Sequence, residues 1–325
     1  MDGFSYIVNL AVVVASFGTM IYFVGWGDGI ALIPHGTVIF IAIGMYICGL
    51  AAGRIKGDST SIFTTLFAST SWFLITRSIS TTYSLLFLVS ALYTYIYVLR
   101  FQGYNRPIRY SVLLGVMAAI FGYLHDFGLL VVVILFLFDV LRIFAQRIDI
   151  RQMLAYPIAA ILYLPYFFLL RDSPPLLLWA QTPRTLPHTV NVQTVFELVQ
   201  NMVGSSDLVL AAIILGVTIS LYEAVLSSYR TVYLCAVQAL VLAIAMIVAI
   251  VYGSVVDSSV FVEQYFVVLL PQVFLVAAMG LGWVFDSLFK YKSFVVVCAV
   301  VVVLLIPLGI NTILQLQEYA YIMTQ

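Results

Sequence analysis

Residues Phe127 to Phe144 read FGLLVVVILFLFDVLRIF, an apolar run interrupted only by Gly128, Asp139 and Arg142. A helix needs ~20 mainly apolar residues to cross the hydrocarbon core of a bilayer, and this run meets that length. Every backbone polar group in lipid must be paired within the spanning structure, which a helix does by itself. A barrel strand would alternate apolar and polar positions, and this stretch does not.

The rest of the chain repeats the pattern. Hydrophobic residues make up 64% of the 325 positions and charged residues 9%, with no net charge, and the mean hydropathy is +1.13. A water-soluble core cannot absorb so much apolar surface, so the composition implies an all-α polytopic membrane protein. About eleven apolar runs are separated by polar breaks, at 4–26, 32–53, 61–76, 82–99, 109–123, 127–144, 153–170, 207–226, 231–252, 265–285 and 293–316. The first run lacks the basic start and small-residue cleavage site of a signal peptide and reads as a membrane helix. The runs at 61–76 and 109–123 are short and need tilt or local thinning to span.

Charge tests this count. With a cytoplasmic amino terminus, the inner ends and loops collect Arg54, Lys56, Arg100, Arg106, Arg109, Arg142, Arg147, Arg151, Arg230, Lys290 and Lys292, which is eleven of the fourteen basic residues. That is the positive-inside bias, and it sends the carboxyl terminus to the outer side. The same alternation puts His35, His125 and His188 outside, with Asp28, Asp126, Asp172, Glu197, Asp207, Asp257, Glu263 and Glu318. The chain then forms a single transmembrane domain over 1–325, whose longest outer loop is 171–206.

Several function classes are excluded. Nucleotide-binding glycine loops, HExxH and GxSxG with triad partners are absent, and no basic patch interleaved with aromatics supports nucleic-acid binding. Cys48, Cys235 and Cys298 are far apart in apolar runs, which fits small hydrophobes rather than a disulfide or zinc framework. A transporter keeps ionisable groups near mid-membrane. Only Asp139 and Glu223 come close, and both read as interfacial pairs or snorkelling groups, Asp139 with Arg142 three positions on. Tyr93, Tyr95 and Tyr97 read as an interfacial or packing set rather than a sugar platform.

Four segments carry a resemblance. GDGIALIPHGTVIF (Gly27–Phe40) leads into GLAAGRIKGDSTSIF (Gly49–Phe63); TRSISTTYSLLFLVSALYTYIYVLR spans Thr76–Arg100; LHDFGLLVVVILF spans Leu124–Phe136; VEQYFVVLLPQVFLVAAMGLGWV spans Val262–Val284. In this order they resemble the GT-C class of membrane glycosyltransferases, the group of lipid A aminoarabinose transferases and protein O-mannosyltransferases. Gly27, Asp28, Ala31, Leu32, Pro34, Tyr83, His125, Phe127, Tyr265, Leu269, Leu270 and Pro271 match; Ile79, Thr81 and Gln264 stand where the family has charged residues.

The resemblance implies a GT-C-like transmembrane core and transfer of a sugar from a polyprenyl-phosphate carrier at the outer face of a cytoplasmic or endoplasmic reticulum membrane. Asp28 or Asp126 is then the candidate general base, because a carboxylate can take the proton of the attacking acceptor. Arg77 and Arg171 are candidates for the departing phosphate, with His125, Gln264 and Tyr265 as further substrate contacts. The resemblance fixes no cofactor, and a divalent metal beside His125 is an additional expectation. The first outer loop holds only about ten residues, too short for the family's catalytic platform. A second class is therefore a catalytically degenerate subunit that membrane protein partners complete, and a third is a transporter.

Overall fold

The structure, a computed structural model, describes residues 7–14, 35–71, 74, 81–102, 107–144, 150–169, 200, 207–226, 240–241, 243–245, 247 and 263–290. The described elements are all helical: α1 (His35–Lys56), α2 (Asp58–Thr70), α3 (Thr81–Gln102), α4 (Pro107–Leu124), α5 (Asp126–Phe144), a 3-10 turn (Ile150–Leu154), α6 (Ala155–Leu169), α7 (Asp207–Leu226), a second 3-10 turn (Glu263–Leu269) and α8 (Leu270–Lys290). Four helical stretches are long and apolar enough to cross a membrane, at Thr37–Lys56, Tyr83–Phe101, Phe127–Phe144 and Phe266–Leu288. The chain is thus an all-α membrane protein.

Gly57 makes the reversal from α1 into α2 possible. Its φ of 109° lies where a Cβ is strained, its N–H closes the last turn of α1 on Gly53 O at 3.1 Å, and its carbonyl accepts from Ser61 N–H at 3.2 Å. The run expected at 61–76 does not form one continuous helix. The α2 helix covers 13 residues, about 20 Å at 1.5 Å per residue, and Ser71 beyond it is extended at φ −69°, ψ 107°. Its buried side is hydroxyl-rich. Thr64 donates to Thr60 O at 2.8 Å and Thr65 to Ser61 O at 3.0 Å, while buried Asn9 is held by Ser61 and Thr65.

Side-chain contacts fix the relative directions of the helices. Ser90 donates to Val268 O at 2.6 Å and Thr94 bonds Gln272 at 3.0 Å, so α3 and α8 run the same way. Gly44 of α1 lies against Phe87 and Lys56 reaches Met279 O, so α1 shares that direction. Tyr93 packs on Phe121, whereas Arg100 and Ser111 both donate to Gln152 O. The α4 helix is therefore antiparallel to α3, and α5 returns parallel to it. The carboxyl ends of α1, α3 and α5, carrying Arg54, Lys56, Arg100 and Arg142, gather at one end of the bundle, called the basic end below.

Close approach decides the α7–α8 seam. A Cβ on Gly280 would overlap the carbonyl of Gly216, and one on Gly216 would overlap that of Ala277; Ser220 adds a hydrogen bond to Val276 O at 2.6 Å. Small residues allow backbones to meet where no hydrophobic force drives helices together. Where the 3-10 turn passes into α8, Pro271 has no N–H to donate. With its oxygen accepting from Thr94, the Gln272 amide donates to Val268 O and Leu269 O at 3.0 and 3.1 Å. In α6, Pro165 lies inside the helix, and Tyr123 of α4 donates to the nearby carbonyl of Leu162 at 2.8 Å.

Candidate functional site

At the end opposite the basic residues, the chain turns sharply from α4 into α5. His125 N–H closes α4 on Phe121 O at 3.2 Å, and the His125 carbonyl accepts from Gly128 and Leu129 in the first turn of α5. Its Nδ1 accepts from Phe127 N–H at 3.0 Å, the position an N-cap side chain serves. The proton of the neutral ring therefore sits on Nε2. His125 is 4% exposed, and burial, which penalises the charged form, lowers its pKa from 6.5 to about 4. The imidazole is a neutral cap.

Three of the four segments with the family resemblance come together around this turn. Phe127 packs on Phe266 with centroids 5.5 Å apart, joining LHDF to the Glu263–Leu269 turn across the fold. The same turn is tied to α3 through Ser90 and Val268, and Tyr83, in the first turns of α3, is buried. Asp126 opens α5, and Gln264 and Tyr265 lie in the Glu263–Leu269 turn; for these three the structure describes the backbone. Asp28, Arg77 and Arg171 and the segment 171–206 expected as the longest outer loop, Gln200 apart, lie outside the described residues.

The basic end holds the other polar constellation. Asp139 is 0% exposed and Arg100 1%. Asp139 Oδ2 accepts from Arg100 Nη2 and from Tyr156 OH at 2.5 Å; its Oδ1 accepts from Tyr97 OH at 3.2 Å and Arg142 Nη1 at 3.3 Å. Four donors fill the lone-pair directions of one carboxylate. Arg100 also donates to Gln152 O at 3.0 Å and stacks near the rings of Tyr97 and Tyr156, while Arg142 lies 4.1 Å over Phe101. One acid thus joins α3, α5, α6 and the Ile150–Leu154 turn.

Only part of this arrangement follows from the sequence. Asp139 pairs with Arg142 as expected; the structure adds that Asp139 is fully buried between helices and that Arg100 is a further ion partner. The signal for it was the stripe Tyr93, Tyr97, Arg100, spaced for one face of a helix. Glu223 is a paired group as expected: it meets Lys56 of α1. Tyr93 and Tyr97 are buried packing residues. Among the described residues no group of three or more His, Cys, Asp or Glu side chains is placed to hold a metal ion.

Comparison with family models, curated proteins and solved structures gives no match for this chain.

Proposed function

We propose that this chain is a GT-C-like membrane glycosyltransferase that moves a sugar from a polyprenyl-phosphate donor at the outer membrane face. The observation that carries the reading is the meeting of Phe127 and Phe266. It brings two of the resembling segments to one end of the bundle, opposite the basic residues. The positive-inside rule makes that end the outer one, with about eleven spans, a cytoplasmic amino terminus and an outer carboxyl terminus. In the reaction, an acceptor hydroxyl attacks the anomeric carbon, its bond to the phosphate oxygen breaks, and polyprenyl phosphate leaves. The acceptor proton passes to Asp28 or Asp126, and Arg77 and Arg171 stabilise the phosphate. His125 serves this site by fixing the first turn of α5, the helix that Asp126 opens.

The purified protein in nanodiscs, supplied with a labelled polyprenyl-phosphate sugar, should bind the donor and transfer the label. Asp28→Asn and Asp126→Asn separate the two bases, one of them losing turnover while keeping binding. Neither binding nor turnover in the wild type would sink the proposal. A second reading, a catalytically degenerate subunit of a membrane complex, is favoured by the use of His125 as a buried cap. A stoichiometric membrane partner together with a catalytically silent chain is its expected signature.

A further inference from the structure

Two buried polar side-chain atoms of the basic end have no hydrogen-bond partner among the described residues. Arg100 Nη1 and Nη2 are used by the main-chain carbonyl of Gln152 and by Asp139, but its Nε is buried without one; the same is true of Gln152 Oε1. Both residues are deeply buried, at 1% and 7% exposure, and the Nη1 bond of 3.0 Å to the Gln152 carbonyl holds them side by side. Further along the same stripe of α3, the Tyr93 hydroxyl is buried in the same condition. Its residue is 0% exposed and within electrostatic reach of Arg100 and Asp139.

A buried donor or acceptor left unmade loses its full solvation, and native proteins satisfy such groups, where side chains do not reach, with ordered water making about three hydrogen bonds. The chemistry here selects water. Arg100 Nε can only donate, whereas a carboxamide oxygen can only accept, so the occupant must accept from one and donate to the other. An anion fails at Gln152 Oε1, and a metal cation fails at the guanidinium.

We infer that the basic end of the bundle contains a resident hydration site in which water bridges Arg100 Nε and Gln152 Oε1 beside the Asp139 knot. The site reaches toward Tyr93 along the tyrosine stripe of α3. It lets a guanidinium and a carboxylate remain charged among apolar helices, because the polar atoms that Asp139 does not satisfy keep a partner. This assignment is independent of the sugar-transfer proposal, since it lies at the other end of the molecule.

Radiolytic hydroxyl-radical footprinting of the full chain in nanodiscs tests it, because radicals formed from trapped water oxidise the side chains beside it. Tyr97 should be oxidised with oxygen drawn from H2-18O, although equally buried Phe87 and Phe274 are not, and Gln152→Leu should lose that labelling. A high-resolution cryo-EM map of the wild type supplies the second readout, independent of any variant. Density within hydrogen-bond distance of both Arg100 Nε and Gln152 Oε1 supports the assignment. Labelling of Tyr97 no higher than that of Phe87, or a map in which Arg100 Nε bonds directly to a protein group with no density between, overturns it.

Discussion

At the basic end, Arg100 and Asp139 remain an ion pair at 1% and 0% exposure, held by two tyrosines and a second arginine; at the other end His125, 4% exposed, carries no charge and works as a cap. Both are buried ionisable groups beside membrane helices. They differ in what surrounds them. A charge survives burial when an opposite charge and further hydrogen bonds replace water, and Asp139 accepts four such bonds. His125 has aromatic Phe127 beside it and a backbone N–H to receive, and both favour the neutral ring. The basic end is therefore a charged lock on four elements, and the opposite end is a neutral turn that holds a helix start in place.

The comparison breaks most visibly at Asp139. Asp139→Ala leaves Arg100 buried without its carboxylate, and stranding one member of a buried pair costs about 3–5 kcal/mol. Thermal unfolding in detergent should register this as a large fall in Tm. Replacing both charges, Arg100→Met with Asp139→Leu, removes the stranded guanidinium, although Tyr97, Tyr156 and Arg142 still lose their acceptor, and should recover part of the loss. Equal losses in the single and double variants would show that packing, and not the ion pair, holds the knot.

His125 gives the next effect, with the sign set by its lowered pKa. The unfolded chain takes up the imidazole proton near pH 6.5, the folded chain only near pH 4. The folded state is therefore at full stability above about pH 6.5, loses stability as pH falls through that window, and levels off below about pH 4. The loss approaches roughly 3 kcal/mol, because each tenfold difference in proton affinity between the two states is worth about 1.36 kcal/mol. Unfolding midpoints measured against pH check it. His125→Asn keeps an acceptor for Phe127 N–H but cannot titrate, so its profile should be flatter through the same window.

A smaller change concerns the frame that both ends share. Gly280→Ala places a methyl group on the Gly216 carbonyl, and because the obstacle is backbone, α7 and α8 must separate. Overpacking of this kind costs about 1–3 kcal/mol. A lowered Tm that Gly216→Ala does not add to would locate both substitutions at one seam, since neighbours that share a contact are not additive.

These effects also mark what the sequence could disclose. Apolar runs located the helices α1 and α3 to α8 because bilayer length is a property of the run alone. Charge located the basic end because Arg54 and Arg100 directly follow apolar runs and Arg142 lies in the last turn of one. Partnership was hidden: Arg100 is 39 positions from Asp139, and in a membrane helix both lipid and core are apolar, so the pattern does not mark the inward face. The end of α2 at Thr70 was hidden as well. Its hydroxyls turn inward to Asn9 and to carbonyls one turn earlier in the helix, contacts that run composition does not show. At the opposite end, the resemblance named His125 as a substrate contact, but only the turn geometry reveals the cap.

The smallest effect is expected at the second ion pair of the basic end, and it separates a lock from a fastener. Lys56 meets Glu223 with both side chains at 12% and 16% exposure, and the ammonium also reaches Met279 O at 3.4 Å. Water can approach both partners. Unlike Asp139, neither is stranded when the other is removed, since a long side chain near a helix end can swing its charge to solvent. Lys56→Ala and Glu223→Ala should each lower stability by less than Asp139→Ala does, nearer to the loss of about 1 kcal/mol at a surface pair, because this pair is part-buried with a route to solvent. Raising the salt should weaken this pair while leaving the Asp139 knot unchanged, because screening reaches exposed charges far more than buried ones. A salt-independent loss of several kcal/mol at Lys56 would mean that this pair is sealed like the knot, and the two would then form one continuous ionic layer across the basic end.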